Sequence, residues 1–278
     1  MTLSAATVHF GPDGPVLTAA PPLPVEALVL GRKLDEAAEI LPRLFNLCRA
    51  AQGLAARLAL GLPAPAGSSA AIAAERTRDH RLKLCLTLRL GFGLPPLPID
   101  TDLAGLPLTS AALLSAPSPV ADLARRIAET FAPGIATCAA LPAPPDPLAS
   151  GACENSAAGR QAHHPLLQDI AARHGRGPLW RYAGILADLA TPLPAARVTD
   201  GIASVPAARG SYALRITHRD GRVTGITRRT PTDHLLAPGG ALLQALSALP
   251  PSLQTLAPQV IALHDPCIPV TVKEVQDA

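Results

Sequence analysis

LHDPCIPVTVKEVQDA (residues 263–278) closes the sequence. An Asp-Pro pair leads into one cysteine, Cys267, and a short apolar stretch follows. A thiol beside proline and just after a carboxylate is not an obvious core position. Nor does it make a metal site by itself, because a transition metal needs three to four ligands and the chain has no C-x-x-C. Taken alone the segment is half of a site, and the other half has to be sought elsewhere in the chain.

Four other cysteines are available: Cys48, Cys85, Cys138 and Cys153. Cys85 lies in the apolar LKLCLTL and fits a small core residue. Cys138 and Cys153 flank a proline-rich stretch, and nothing in the sequence makes them meet. Cys48 differs. It is read in the first turns of a helix whose start Pro42 fixes, where amide dipoles favour a thiolate; the alternative is a buried thiol on an Ala/Leu face. His163, His164 and His174 are candidate ligands, but adjacent histidines face different sides of a helix, and histidines at a helix start fit better.

Composition narrows the function classes. The 278 residues are 48% hydrophobic, 16% charged and 3% aromatic, so the core is built from Ala, Leu, Ile and Val. Net charge is +3. The densest basic run, ERTRDHRLK (75–83), has no interleaved aromatics to stack on bases and fits a solvated helix face, which argues against nucleic acid. No apolar run reaches the roughly 18 residues of a membrane helix, and no secretory leader is visible. Five widely spread cysteines do not form a disulfide framework. The expectation is a cytoplasmic protein with reduced thiols and no membrane partner.

Along the chain, TVHF and PVLT flank the turn GPDG as a hairpin over residues 7–18. PPLP (21–24) is a rigid connection. Helical periodicity runs from Leu34 to Leu60, and Pro42 is expected to close one helix and open the next. A helix follows over 70–90, then a loop over 90–108. SPVADLARRIAETF (118–131) has a Ser N-cap and a first-turn Pro. Helices are expected at 165–174, 178–190 and 239–248. SYALRITHRDGRVTGITRR (211–229) is a hairpin, with Asp220-Gly221 as a type I′ turn. The class is α+β and helix-dominant. The chain is taken as one domain over 1–278, with an internal boundary placed at the proline-dense 141–152.

Cys48 and Cys267 with their flanks together resemble the two cluster motifs of nickel-iron hydrogenase large subunits, R-x-C-G-x-C-x-x-x-H and D-P-C-x-x-C-x-x-H/R. In RLFNLCRAAQ (43–52) Arg43 and Cys48 match, while Phe45, Asn46 and Gln52 replace Cys, Gly and His. In DPCIPVTVK (265–273) Asp265, Pro266 and Cys267 match, while Val270 replaces the second Cys and Lys273 takes the terminal position. GRKLDEAAEILPR (31–43) resembles the lead-in to the first motif. ENSAAGR (154–160) resembles a central E-x-G-x-x-A-R, and ARGSYALRITHRDGRVTGITRRTPT (208–232) a P-R-G hairpin ending in PT. The order is kept over residues 30–278.

The resemblance implies a shortened large-subunit-like fold. It also implies that nickel, held by four cysteines in the enzymes, has no complete site here, so neither nickel nor hydrogen turnover is expected. The enzyme precursors carry an extension that a maturation protease removes, and none is expected after Lys273. A large-subunit relative without a nickel site is similar to the HupK-type hydrogenase expression/formation proteins. That resemblance implies a scaffold or carrier on which an iron–cyanide–carbonyl fragment, Fe(CN)2CO, is held by Cys48 and Cys267 before transfer. The implied partners are hydrogenase maturation proteins and the hydrogenase large subunit. Two other readings are a metal-free docking protein that mimics the large subunit, and a divergent quinone-reductase-type enzyme.

Overall fold

A computed structural model of the chain describes residues 5–273 apart from 22, 46 and 104. One of the replaced motif positions, Asn46, one proline of the 21–24 connection and the segment after Lys273 therefore lie outside the described residues.

The chain opens as the expected hairpin, β1 (Ala6–Gly11) and β2 (Gly14–Thr18). Three helices follow: α1 (Val25–Val29), α2 (Leu34–Leu44) and α3 (Arg49–Ala59). Pro42 does not divide the pattern as expected. It sits inside α2, and α3 begins only at Arg49. Proline there gives up the hydrogen bond to the Ala38 carbonyl, a loss confined to the last turn of α2, and its ring faces Gly53 of α3 at ordinary contact distance.

α4 (Ser68–Leu82) continues without a break through a π-helical turn, Lys83–Thr87, into α5 (Leu88–Gly91). The sequence gives no warning of the π turn. After a long coil come α6 (Ser110–Ser115) and α7 (Pro119–Thr130), whose N-cap Ser118 accepts from the Ala121 amide. A second coil passes through residues 141–152 to α8 (Ala157–Arg160), α9 (Pro165–His174) and α10 (Pro178–Ala190).

A four-stranded antiparallel sheet comes next, in the order β3 (Arg197–Thr199), β4 (Ile202–Ala207), β5 (Gly210–Arg219) and β6 (Arg222–Arg229). Asp220 and Gly221 both have positive φ, 50° and 71°, as a type I′ turn requires. The expected hairpin is thus the distal half of a larger sheet. α11 (Pro231–Leu235), α12 (Ala241–Ser247) and α13 (Ala257–His264) lead to the last strand, β7 (Val270–Lys273). β7 lies parallel to β1, with Ala6 opposite Val270 and His9 opposite Lys273.

Burial is organised around two apolar clusters. One joins Val8 and Phe10 of β1 to α7, α9, α10, α12 and α13. The other packs α1, α2 and α3 on the inward face of the sheet, through Tyr212, Leu214, Ile216 and Val205. With few aromatics available, backbones approach closely. A Cβ at Gly184 of α10 would lie 2.2 Å from the Ala158 side chain of α8, and one at Gly210 would lie 2.1 Å from the Asn155 carbonyl oxygen. Only glycine fits at either point. Among the described residues, no helix is long and apolar enough to cross a membrane.

Candidate functional site

The helix α4 and the π turn after it contribute to two buried charge networks. Its run ERTRDHRLK, expected on a solvated face, instead buries Glu75, Arg76, His80 and Lys83. Arg76, His80 and Lys83, four and three residues apart, and Glu75 beside Arg76 lie along the inward side of one continuous helix. The outward side carries Leu82, Leu86 and, in α5, Leu90, all exposed.

The upper network centres on Asp188 of α10, which is fully buried. Its carboxylate accepts from Arg160 Nε at 2.8 Å and Nη2 at 2.8 Å and from Gln161 at 3.0 Å, and lies 2.9 Å from His80 Nε2. Arg76 donates to the Asp188 carbonyl oxygen. Burial alone would raise the pKa of Asp188, but the His80 and Arg160 contacts hold it well below the usual carboxylate range. Arg160 is the last residue of the ENSAAGR stretch, and its guanidinium also donates to Ala207 and Gly210 carbonyls at the β4–β5 turn. The first residue of that stretch, Glu154, pairs with buried Arg181 at 2.9 Å.

The lower network contains both cysteines singled out in the sequence. Cys48 is the N-cap of α3, not a first-turn residue. The free amide of Ala50 donates to Glu75 Oε2 at 2.8 Å, so the positive end of the helix is taken by a carboxylate. Of the two readings of Cys48, the dipole-stabilised thiolate is therefore not what forms. Burial pushes the Cys48 thiol up, with Glu75 adding to the rise and the 3.5 Å hydrogen bond from Gln52 Nε2 opposing it. Cys267 follows α13. Its amide donates to Thr232 Oγ1 at 2.7 Å. Burial pushes its pKa up to about 11, against the pull of Arg209. Both thiols feel the Arg209 charge, and a charge on Cys48 disfavours one on Cys267.

Arg209, from the turn between β4 and β5, is the hub of this network. Its Nε lies 2.9 Å from Asp265 Oδ1 and its Nη1 lies 3.4 Å from Asp79 Oδ2. Asp265 also pairs with Lys83 Nζ. Burial would raise the pKa of Asp265, yet Lys83 and Arg209 hold it below its ordinary value. Asp79, which shares Arg209 and faces Asp265, is raised by burial. Sequence reasoning missed Asp79, Lys83 and Arg209 as site residues. The ARG of residues 208–210 lay within a stretch of noted resemblance, but nothing local marks Asp79 or Lys83 as buried.

Unpartnered polar atoms sit beside Cys48. The Gln52 Oε1 and the Tyr212 hydroxyl are buried without a hydrogen-bond partner, and Tyr212 is close enough to Cys48 to feel its charge. Phe45, in the place of a motif cysteine, carries the Arg228 guanidinium 5.1 Å over its ring. Among the described residues no group of three or more His, Cys, Asp or Glu is placed to hold a metal ion.

The remaining candidates take structural places. Cys85 is buried in the π turn. Cys138 and Cys153 are buried and free. Cys138 donates to the Arg176 carbonyl at 3.3 Å and touches Arg181. His164 caps α9 by accepting from the Leu166 amide, as its place at a helix start suggested.

No family model matches the chain. The fold is that of nickel-iron hydrogenases. The chain is similar to the reduced Ni-Fe-Se hydrogenase from D. vulgaris Hildenborough, with a TM-score of 0.61, 12% identity, and 91% of this chain and 92% of that one covered. It is also similar to the reduced, active Ni-Fe-Se hydrogenase from Desulfomicrobium baculatum, with a TM-score of 0.59, 11% identity, and 91% and 93% covered. In sequence it is 46% identical over 279 residues to the hydrogenase expression/formation protein HupK of Rhodobacter capsulatus, covering 94% of each chain. At that identity over nearly the whole of both sequences, this chain belongs to the HupK family of hydrogenase expression/formation proteins.

Proposed function

We propose that this protein acts in hydrogenase maturation as a carrier that holds an iron–cyanide–carbonyl fragment between Cys48 and Cys267 and passes it to the hydrogenase large subunit. What supports the reading is that both free thiols lie within electrostatic reach of Arg209 and of each other, with the unpartnered Gln52 and Tyr212 atoms close to Cys48. Two thiols are too few for nickel in four thiolates, and Phe45 and Val270 stand in the places of the other two. They suit a soft metal whose remaining positions arrive already filled. Both are protonated as the free protein stands, so loading releases protons and strengthens as pH rises. The iron fragment is cargo. The chain's own residues bind it, exclude water and give it up, and no hydrogen turnover is assigned to them.

Infrared spectra of protein purified anaerobically from a host with active maturation machinery test this. Cyanide and carbonyl bands in the wild type, lost in the Cys48→Ser/Cys267→Ser double variant, are expected. Full hydrogenase maturation in cells carrying only that double variant would sink the carrier reading. One observation favours the metal-free alternative: Leu82, Leu86 and Leu90 stand 41%, 40% and 56% exposed on one helix, a face that a maturation partner could cover.

A further inference from the structure

We infer that Lys83 is a positioning residue for Cys267, acting through Asp265 to hold the turn that aims the thiol. The inference rests on Cys267 being the working thiol of the site proposed above, and adds to it the device that sets its place.

Asp265 ends α13 in the left-handed region, with φ 55° and ψ 57°. A residue with a Cβ pays for that conformation, and the following Pro266 restricts it further. Such a backbone persists only where surrounding contacts over-determine it. Here the contacts are two cations on one carboxylate, Lys83 Nζ and Arg209 Nε, both meeting Oδ1. Arg209 cannot serve Asp265 alone, since it also lies against Asp79. Lys83 is the second cation that leaves two buried carboxylates matched by two buried bases.

The π turn explains how Lys83 gets there. It brings three consecutive residues, Lys83, Leu84 and Cys85, to the inward side. An α-helix would turn at least one of them outward. π turns are rare and mark positions where a helix gives up regularity to place a residue. Two residues past Asp265, the Cys267 amide is held from the other side by Thr232. The cysteine therefore sits on a short strap pinned at both ends, by α4 through Lys83 and by α11 through Thr232. Lys83 meets Asp265 and Thr232 meets the Cys267 backbone amide, so both contacts act on where the thiol sits.

The test is the alkylation rate of each cysteine in intact, metal-free protein, read by peptide mapping after timed iodoacetamide exposure. In Lys83→Met, Cys267 is expected to label about tenfold faster or more as the strap opens, while Cys85 and Cys138 stay protected. Lys83→Arg is expected to restore slow labelling. A Cys267 rate unchanged in Lys83→Met overturns the inference. If all five thiols speed up together in that variant, Asp265→Asn decides. It removes the charge Lys83 grips while keeping the side chain's shape, and a selective rise at Cys267 is again required. A uniform rise or no rise there also overturns the inference. Labelling reads the strap with no cargo present, whereas the infrared bands read the cargo, so either idea can fail without the other.

Discussion

Asp188 is buried and Asp265 largely so, each meets a cation from the continuous stretch of α4 and the π turn, Arg76 and Lys83, and they are put to different use. Asp188 sits in regular helix and is saturated: His80, Arg160 and Gln161 fill its oxygens, and its partners come from α4 and the α8 region. Asp265 sits in strained backbone beside two protonated thiols, with the unpartnered Gln52 and Tyr212 atoms close to Cys48. A fully satisfied network fixes a fold, while a partly satisfied one next to reactive groups leaves something for a ligand to complete.

That contrast can be broken first at Asp188. Asp188→Ala leaves Arg160 and its neighbours uncompensated, and chemical denaturation is expected to show a loss of about 3–5 kcal/mol. A loss below about 1 kcal/mol would mean the network is not what joins these helices. Gly184→Ala, where α10 meets α8, is expected to cost about 1–3 kcal/mol by overpacking, measured the same way.

Titration separates the two regions further. His264 is buried and neutral, its pKa pushed down to about 3 by burial and by the Arg181 charge. A depressed pKa contributes stability that is present above the unfolded value of about 6.5 and is lost as pH falls toward 3. Thermal melts should therefore decline across that window, and His264→Phe should flatten the decline. Cys267 has the opposite sign. Its pKa is raised to about 11, so its contribution is present below about 8.5 and is lost as pH rises toward 11. Cys267→Ser should shrink that alkaline leg, to which the raised Cys48 thiol also contributes, while leaving the acid leg in place. The smallest effect is expected at the exposed Arg43–Glu39 pair, where Glu39→Ala should change stability by less than about 0.5 kcal/mol.

What the sequence disclosed and what it hid follow one rule. The β5–β6 hairpin was legible because Asp220-Gly221 is a local turn code and Tyr212, Leu214 and Ile216 alternate beside it. α7 was legible because Ser118 and Pro119 mark its start. α4 was misjudged for a physical reason. Periodicity arguments equate burial with apolarity, and this helix buries its charges while exposing leucines. The position of Cys48 was misjudged because Pro42 is a stronger punctuation mark in sequence than in this helix, which ends two residues later whatever the proline does. Cys48 and Cys267 were legible as a pair only through resemblance. Arg209, the group both thiols feel, sits on a turn whose place beside them depends on the whole sheet. β7 was missed because four residues pairing with a partner at the opposite end of the chain leave no local trace.

The pairing of β1 with β7 orders events during synthesis. β1 precedes β7 in the chain, so their pairing forms only after every element between them has been made. The strap carrying Cys267 is tied into that closure three residues before β7 begins. Cys48 waits on a helix completed early, and its counterpart arrives last. Any site that needs both of these thiols therefore forms only on a chain made and folded through β7.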